Sequence, residues 1–202
     1  MMWRYILLIL SFWNQPMLGQ SLSDYKMGKW AVLQGSIVEI KGKTTLADFR
    51  CKASLMIPKK TFYWIKDGNY KVNLVQISIR IRTLDCGNRL FNGVMYEALQ
   101  ANRFPNIEID VREVEAITSG KNTSGSSRFY AQVSLNGHIK GYQIPVMVQR
   151  KASGKFRVKG YQPLKMTAFG VMPPVAIGGM VRTMDDITIG FDLLLDIESQ
   201  SF

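Results

Sequence analysis

Few residues of this 202-residue chain are arranged as catalytic sites usually are. The only histidine, His138, follows Asn136-Gly137 and is interpreted as a turn residue rather than a catalyst. Asp185 and Asp186 are adjacent carboxylates, but neighbouring residues of a strand point to opposite faces. No nucleophile elbow, Walker loop, dinucleotide fingerprint or zinc-protease motif occurs in the sequence. The sequence therefore predicts no catalytic residue, no metal site and no cofactor.

The two cysteines, Cys51 and Cys86, could do redox chemistry or form one crosslink. An even count predicts a disulfide if the chain is exported to an oxidising compartment, and we expect it between neighbouring strands. Two buried free thiols are the alternative. A zinc site is not expected, since it needs more ligands than two cysteines and one histidine supply.

Apolar side chains dominate the remaining inventory, with 11 Met, 10 Phe, 8 Tyr and 4 Trp. Methionine fills irregular space and adapts to flexible ligands, although ordinary core packing explains any single one. The residues predicted to line a ligand cavity each lie on the apolar face of an alternating strand, or on the segment leading into Phe169-Gly170. They are Val38, Ile40, Ile77, Ile79, Ile109, Val111, Val133, Leu135, Met166, Phe169, Ile189, Phe191 and Leu193.

Beyond residue 30, most of the chain alternates with a period of two residues. This alternation determines which of these side chains face the interior. In residues 77–82 and 107–112, for example, an apolar residue alternates with a polar one, as in half-buried antiparallel strands. Turn residues separate such runs at 67–69, 136–137, 140–141 and 153–154. Residues 88–102 lack the alternation and predict a helix capped by Asn88 or Asn92, which ends before Phe104-Pro105. Residues 169–184, rich in Gly, Pro and Met, predict a loop over one end of the sheet.

Long strands with one short α-helix predict a mainly β fold, an elongated antiparallel β-barrel of about eight strands. An eight-stranded barrel has just enough interior for side chains or for one slender ligand. The overall mean hydropathy of -0.02 excludes a polytopic membrane protein.

The first 19 residues are interpreted as a signal peptide. Arg4 precedes a short apolar run, Pro16 breaks any helix, and Gly19 lies near a plausible cleavage point. We therefore expect residues 20–202 to form one exported domain, periplasmic or secreted; an uncleaved anchor or a buried helix is the alternative. The net charge of +11 suits contact with an anionic membrane surface, whereas nucleic acid is not expected as a partner outside the cytoplasm. Solvated strand faces are the simpler explanation of that charge.

Five segments resemble the YceI-like family, in the order in which that family has them. They are residues 35–51, 98–109, 133–146, 164–170 and 186–192, so that the resemblance spans about residues 35–197. It implies an extended, lipocalin-like antiparallel barrel, typically exported, that binds polyisoprenoid or other long apolar chains along its axis. The family also has a subgroup whose paired cysteines match Cys51 and Cys86, but no shared catalytic residues. The apolar, Gly-rich residues 170–181 depart from the commoner pattern.

Three functions are compatible with these features. The first is an exported binding protein for a long apolar ligand, such as a polyisoprenoid, an isoprenoid quinone or an acyl lipid. The second is a structural or stress-related interaction protein of the cell envelope with a filled barrel. The third, an enzyme on a lipocalin-like scaffold, would need convergent polar residues inside the barrel.

Overall fold

The computed structural model describes residues 25–67, 69–119 and 124–199, which form a closed antiparallel β-barrel. The predicted signal peptide lies outside the described residues. The elements are β1 (Lys26–Thr44), β2 (Asp48–Asp67), β3 (Asn69–Arg80), α1 (Arg89–Ala98), β4 (Asn106–Val114), β5 (Thr118–Ser119), β6 (Ser124–Leu135), β7 (His138–Arg150), β8 (Phe156–Lys165), β9 (Val175–Ala176) and β10 (Val181–Ser199), with short 3-10 helices at Ile81–Thr83, Met166–Phe169 and Ile177–Gly179.

Eight long strands make the wall, in the order β1-β2-β3-β4-β6-β7-β8-β10, and β10 pairs with β1 to close it. Strands β5 and β9 are two-residue additions paired with β6 and β10. The predicted mainly β, eight-stranded barrel with one short α-helix is confirmed.

Two of the strand pairs in the barrel wall, β2–β3 and β7–β8, are hydrogen-bonded at one end of the barrel only. Strands β2 and β3 pair from Asp67↔Asn69 to Tyr63↔Asn73, and β7 and β8 pair from Arg150↔Phe156 to Val146↔Gly160. Past Tyr63 of β2 and Val146 of β7, moving away from the turns, β2 no longer pairs with β3 and β7 no longer pairs with β8. We call the end of the barrel that has the β2–β3 and β7–β8 turns the hairpin end. The opposite end, near α1, is called the helical end.

The helical end is closed by the two longest connections of the barrel. The connection from β3 to β4 carries α1, whose Phe91 ring lies 5.2 Å from the Phe49 ring of β2. The connection from β8 to β10 carries residues 166–180, and the side-chain amide of Asn136 donates to the carbonyl of Phe169 at 3.2 Å. Each connection thus lies at one of the two strand pairs that diverge, α1 at β2–β3 and residues 166–180 at β7–β8.

Several local predictions are confirmed. Asn88 is the cap of α1, since its side chain accepts hydrogen bonds from the backbone N–H groups of Leu90 and Phe91. The two-residue turn between β6 and β7 has Asn136 and Gly137 in the left-handed region, at φ 51° and 76°, as this type of hairpin turn requires. The predicted loop over residues 169–184 is confirmed only in part, because Val175–Ala176 form β9, Ile177–Gly179 form a 3-10 helix and residues 181–184 begin β10.

Other local predictions are wrong in detail. Residues 140–141 do not form a turn but lie inside β7, opposite Val133 and Gln132, because β7 starts directly after the 136–137 turn. Ile81 leaves the alternating strand for a 3-10 helix, where its side chain is fully buried beneath the chain that leads to α1.

Candidate ligand site in the barrel interior

A small enclosed cavity lies inside the helical end of the barrel. Its volume is about 20 Å³, which is room for about one water. Strands β1, β4, β6 and β10, helix α1 and the segment after β8 all contribute to its wall. The lining residues are all apolar: Ile40, Met95, Leu99, Ile107, Leu135, Met166, Phe169, Val171, Ile187 and Ile189.

All thirteen residues predicted to line a ligand cavity belong to the apolar interior. Nine are buried, namely Val38, Ile40, Ile79, Val111, Val133, Leu135, Met166, Phe169 and Leu193. The other four, Ile77, Ile109, Ile189 and Phe191, are half-buried and pack against them. Only Ile40, Leu135, Met166, Phe169 and Ile189 meet at the enclosed cavity. Contact of any of them with a ligand remains a prediction.

Five residues of the cavity wall were missed, and each had a signal in the sequence. Met95 and Leu99 are four residues apart on α1 and therefore share one face of the helix. Ile107 and Ile187 lie on the apolar faces of the alternating runs in β4 and β10, and Val171 follows the predicted Phe169-Gly170 pair. Spacing alone did not indicate which of the inward-facing residues would meet at the cavity, because that depends on how α1 and residues 166–171 pack against the strands.

Side chains fill much of the interior, and several of them are adaptable. Met95 and Met166 face the cavity from opposite connections, and unbranched methionine can change shape at low energetic cost. Tyr142 of β7 lies 6.2 Å from Phe169 between ring centroids, and burial raises the pKa of its hydroxyl. Because Met166, Phe169 and Val171 occupy this part of the interior, a long ligand would have to displace residues 166–171.

Aromatic side chains fill the hairpin end. Trp30, Phe62 and Trp64 are buried there, and the ring of Phe62 lies over Gly28, where any side chain would clash with it. Trp30 is 4% exposed, and its indole Nε1–H meets no acceptor among the described residues. A buried donor of this kind is stabilised when a water or a ligand oxygen reaches it.

The disulfide between Cys51 and Cys86 is present, as predicted. Cys86, however, lies in the connection after β3 rather than in a strand. Its neighbour Asp85 forms an isolated bridge with Lys52, with two backbone hydrogen bonds of 2.8 Å. The disulfide therefore links the segment between β3 and α1 to β2, at the place where β2 and β3 diverge.

A larger open cavity, of about 880 Å³, lies along the outer wall. Most of the side chains that line it, such as Glu39, Met147 and Tyr161, alternate with the interior ones. The side chain of Asp192 pairs here with Arg157 at 2.7 Å, and that hydrogen bond is the main reason why the pKa of this carboxyl is lowered. This groove is not the predicted internal tunnel.

The carboxylates at the helical end are engaged in structural contacts. Asp185 accepts hydrogen bonds from the backbone N–H and hydroxyl of Thr167, and these hydrogen bonds contribute to its lowered pKa. Asp186 pairs with Lys165 at 2.9 Å. Within residues 25–67, 69–119 and 124–199, no cluster of three or more His, Cys, Asp or Glu side chains could hold a metal ion. In the same part of the chain, no helix has the length and apolar character needed to cross a bilayer.

No family model matches the chain, and no curated protein matches it in sequence. Solved structures do match. BcnA of Burkholderia cenocepacia superposes with a TM-score of 0.58 at 16% identity, over 80% of this chain and 96% of that one. A polyisoprenoid binding domain from Saccharophagus degradans, implicated in plant cell wall breakdown, superposes with a TM-score of 0.60 at 11% identity, over 85% and 98%.

A YCEI protein of Campylobacter jejuni also matches at 12% identity, over 70% of this chain and 82% of that one, but its TM-score of 0.46 adds no weight. Identities this low show the fold alone. At that level the antiparallel barrel fold that the five segments implied is confirmed.

Proposed function

We propose that this protein is an exported, YceI-like carrier that holds one long apolar ligand, such as a polyisoprenoid, an isoprenoid quinone or an acyl lipid, inside its barrel. The observation that carries the proposal is the wall of the interior. Strands, helix α1 and residues 166–171 all turn apolar side chains toward one enclosed space. Burial of each ligand methylene in such a wall stabilises the complex by about 0.8 kcal/mol.

Binding requires the ligand to displace side chains at the helical end. Residues 166–171 and α1 are the parts that move, because they close that end without belonging to a strand. Met95 and Met166 supply adaptable contacts to a ligand of variable shape. The binding protein of Saccharophagus degradans, whose barrel this chain resembles, is described as polyisoprenoid binding, which supports the same class of ligand.

A filled-barrel interaction protein is the second candidate, because an enclosed volume of about 20 Å³ leaves little free space. Mass spectrometry of organic extracts from the protein purified from its own cells separates the two. A carrier should release a long-chain lipid at about one molecule per chain, whereas a filled barrel should release none. Geranylgeraniol should then bind to the emptied protein, as measured by quenching of tryptophan fluorescence.

Export is the part of the proposal that depends on residues 1–19. The expected mature chain begins near Gln20 or Ser21. Edman sequencing of the protein recovered outside the cytoplasm should return that start, and a protein that retains Met1 would contradict it.

A further inference from the structure

Several exposed apolar side chains lie on neighbouring segments at the outside of the helical end. They are six large residues, Leu46, Met172, Val175, Ile177, Met180 and Met184, which we call the apolar end patch. Their exposed fractions run from 44% for Met184 to 82% for Met172. An exposed apolar cluster of this kind marks an interaction site in soluble proteins.

Backbone hydrogen bonds hold the segments of the patch together. The N–H of Thr45, in the β1–β2 turn, donates to the carbonyl of Arg182 at 2.9 Å, and its hydroxyl donates to the carbonyl of Met180 at 3.1 Å. Thr183 donates from its N–H to the carbonyl of Pro174 at 3.0 Å, while β9 pairs with the start of β10. The backbone segments that carry the patch are therefore hydrogen-bonded to one another.

Ile177 of the patch has an unfavourable backbone conformation. This residue has φ 51°, in the left-handed region, and is followed by Gly178 and Gly179 at φ 59° and 96°. A β-branched residue is strained there. Its side chain is 66% exposed, so packing within the chain does little to offset that strain.

Charge and position favour a lipid bilayer as the partner. Lys43 and Arg182 flank the patch, and the acidic residues near it in the chain are Asp48, Asp185 and Asp186. Asp185 is engaged by Thr167 and Asp186 pairs with Lys165, while the chain as a whole carries +11. The patch continues directly from Phe169 and Val171, whose side chains line the enclosed cavity. The start of β1 at Lys26 and the end of β10 at Ser199 lie at the opposite, hairpin end.

We infer that the apolar end patch inserts into the surface of an anionic bilayer, with the helical end of the barrel facing the hydrocarbon. The choice of a bilayer over a protein partner rests on the proposed function, since a long apolar ligand must be taken from or delivered to a membrane. Apolar area and nearby basic side chains together set the strength of such binding.

Co-sedimentation with vesicles of phosphatidylcholine and phosphatidylglycerol tests the inference without any ligand. The double variant Ile177→Ser/Met180→Ser should bind at least about tenfold more weakly than the parent chain. The matched control, Met56→Ser/Met147→Ser, changes two equally exposed methionines on the outer wall and should bind as the parent does. Thermal unfolding by circular dichroism checks that each variant is folded.

Equal vesicle binding by the two double variants would overturn the inference, as would a parent chain that binds no vesicles. A parent chain that dimerises through the patch, shown by light scattering and abolished by Ile177→Ser/Met180→Ser, would overturn it in favour of a second copy as occupant. Geranylgeraniol binding, measured without vesicles, reports separately on the proposed function. If the variants cannot be prepared, Met180→Trp should be quenched by brominated lipids more strongly than Met56→Trp.

Discussion

Leu135 tests the interior site at the scale of a single residue, because it lies in β6 with 5% exposure and lines the enclosed cavity. In Leu135→Asp, an unpaired carboxylate would enter an apolar space at a cost of several kcal/mol. We expect geranylgeraniol binding to be lost. The measurement is fluorescence quenching, together with circular dichroism to establish that the barrel is intact.

Gln132→Asp is the control, since Gln132 is exposed on the outer face of the same strand. It should bind like the parent chain. A folded Leu135→Asp variant with undiminished affinity would show that the ligand does not reach this part of the interior.

Trp30 tests the polar end of the ligand, because its indole N–H is buried without an acceptor among the described residues. Trp30→Phe removes that donor and keeps an aromatic ring. If a ligand oxygen accepts from the indole, the variant should bind geranylgeraniol more weakly by about 0.5–1.5 kcal/mol but bind a hydrocarbon of equal length as before. Isothermal titration of both probes measures the difference, and an equal change for the two would show that the indole contributes only its shape.

At the scale of the elements, the disulfide between Cys51 and Cys86 fastens the entry to α1 onto β2. In the chain-entropy model, closing a separation of 35 residues stabilises the fold by roughly 3 to 4 kcal/mol. We therefore expect Cys51→Ala/Cys86→Ala to unfold at lower denaturant concentration. It should also exchange bound lipid faster, because the β2–β3 divergence loses its covalent closure.

Stopped-flow quenching measures the exchange, and the parent chain treated with reductant should behave like the double variant. Unchanged exchange in both would mean that the ligand does not pass the edge covered by α1. The edge covered by residues 166–171 would then be the remaining route at this end.

The same elements show how far the sequence predicts this fold. Alternation in β4 and β10 predicted which side chains face inward. In a strand with one face in solvent, the apolar set of alternate residues must face the core. Asn88 predicted the start of α1 through its capping chemistry. The divergence of β2 from β3 and of β7 from β8 had no local signal, since the extent of strand pairing depends on tertiary packing. The enclosed volume depends in turn on Phe169, Met95 and Met166, which two separate connections bring together.

At the scale of the whole molecule, the two ends of the barrel have different surfaces and different closures. The hairpin end is joined by strand pairing and filled by aromatic residues such as Trp30 and Phe62. The helical end is closed by connections and bears the apolar end patch. This asymmetry leads us to assign ligand entry to the helical end, where no strand pairing has to break.

The most direct test of the central claim, that the ligand lies inside the barrel, is photo-crosslinking with an isoprenoid alcohol that carries a diazirine on its chain. Peptide mass spectrometry locates the attachment points. The account predicts adducts on interior residues such as Leu135, Met166 and Ile189. Adducts confined to the outer groove, at Met147 or Tyr161, would contradict it.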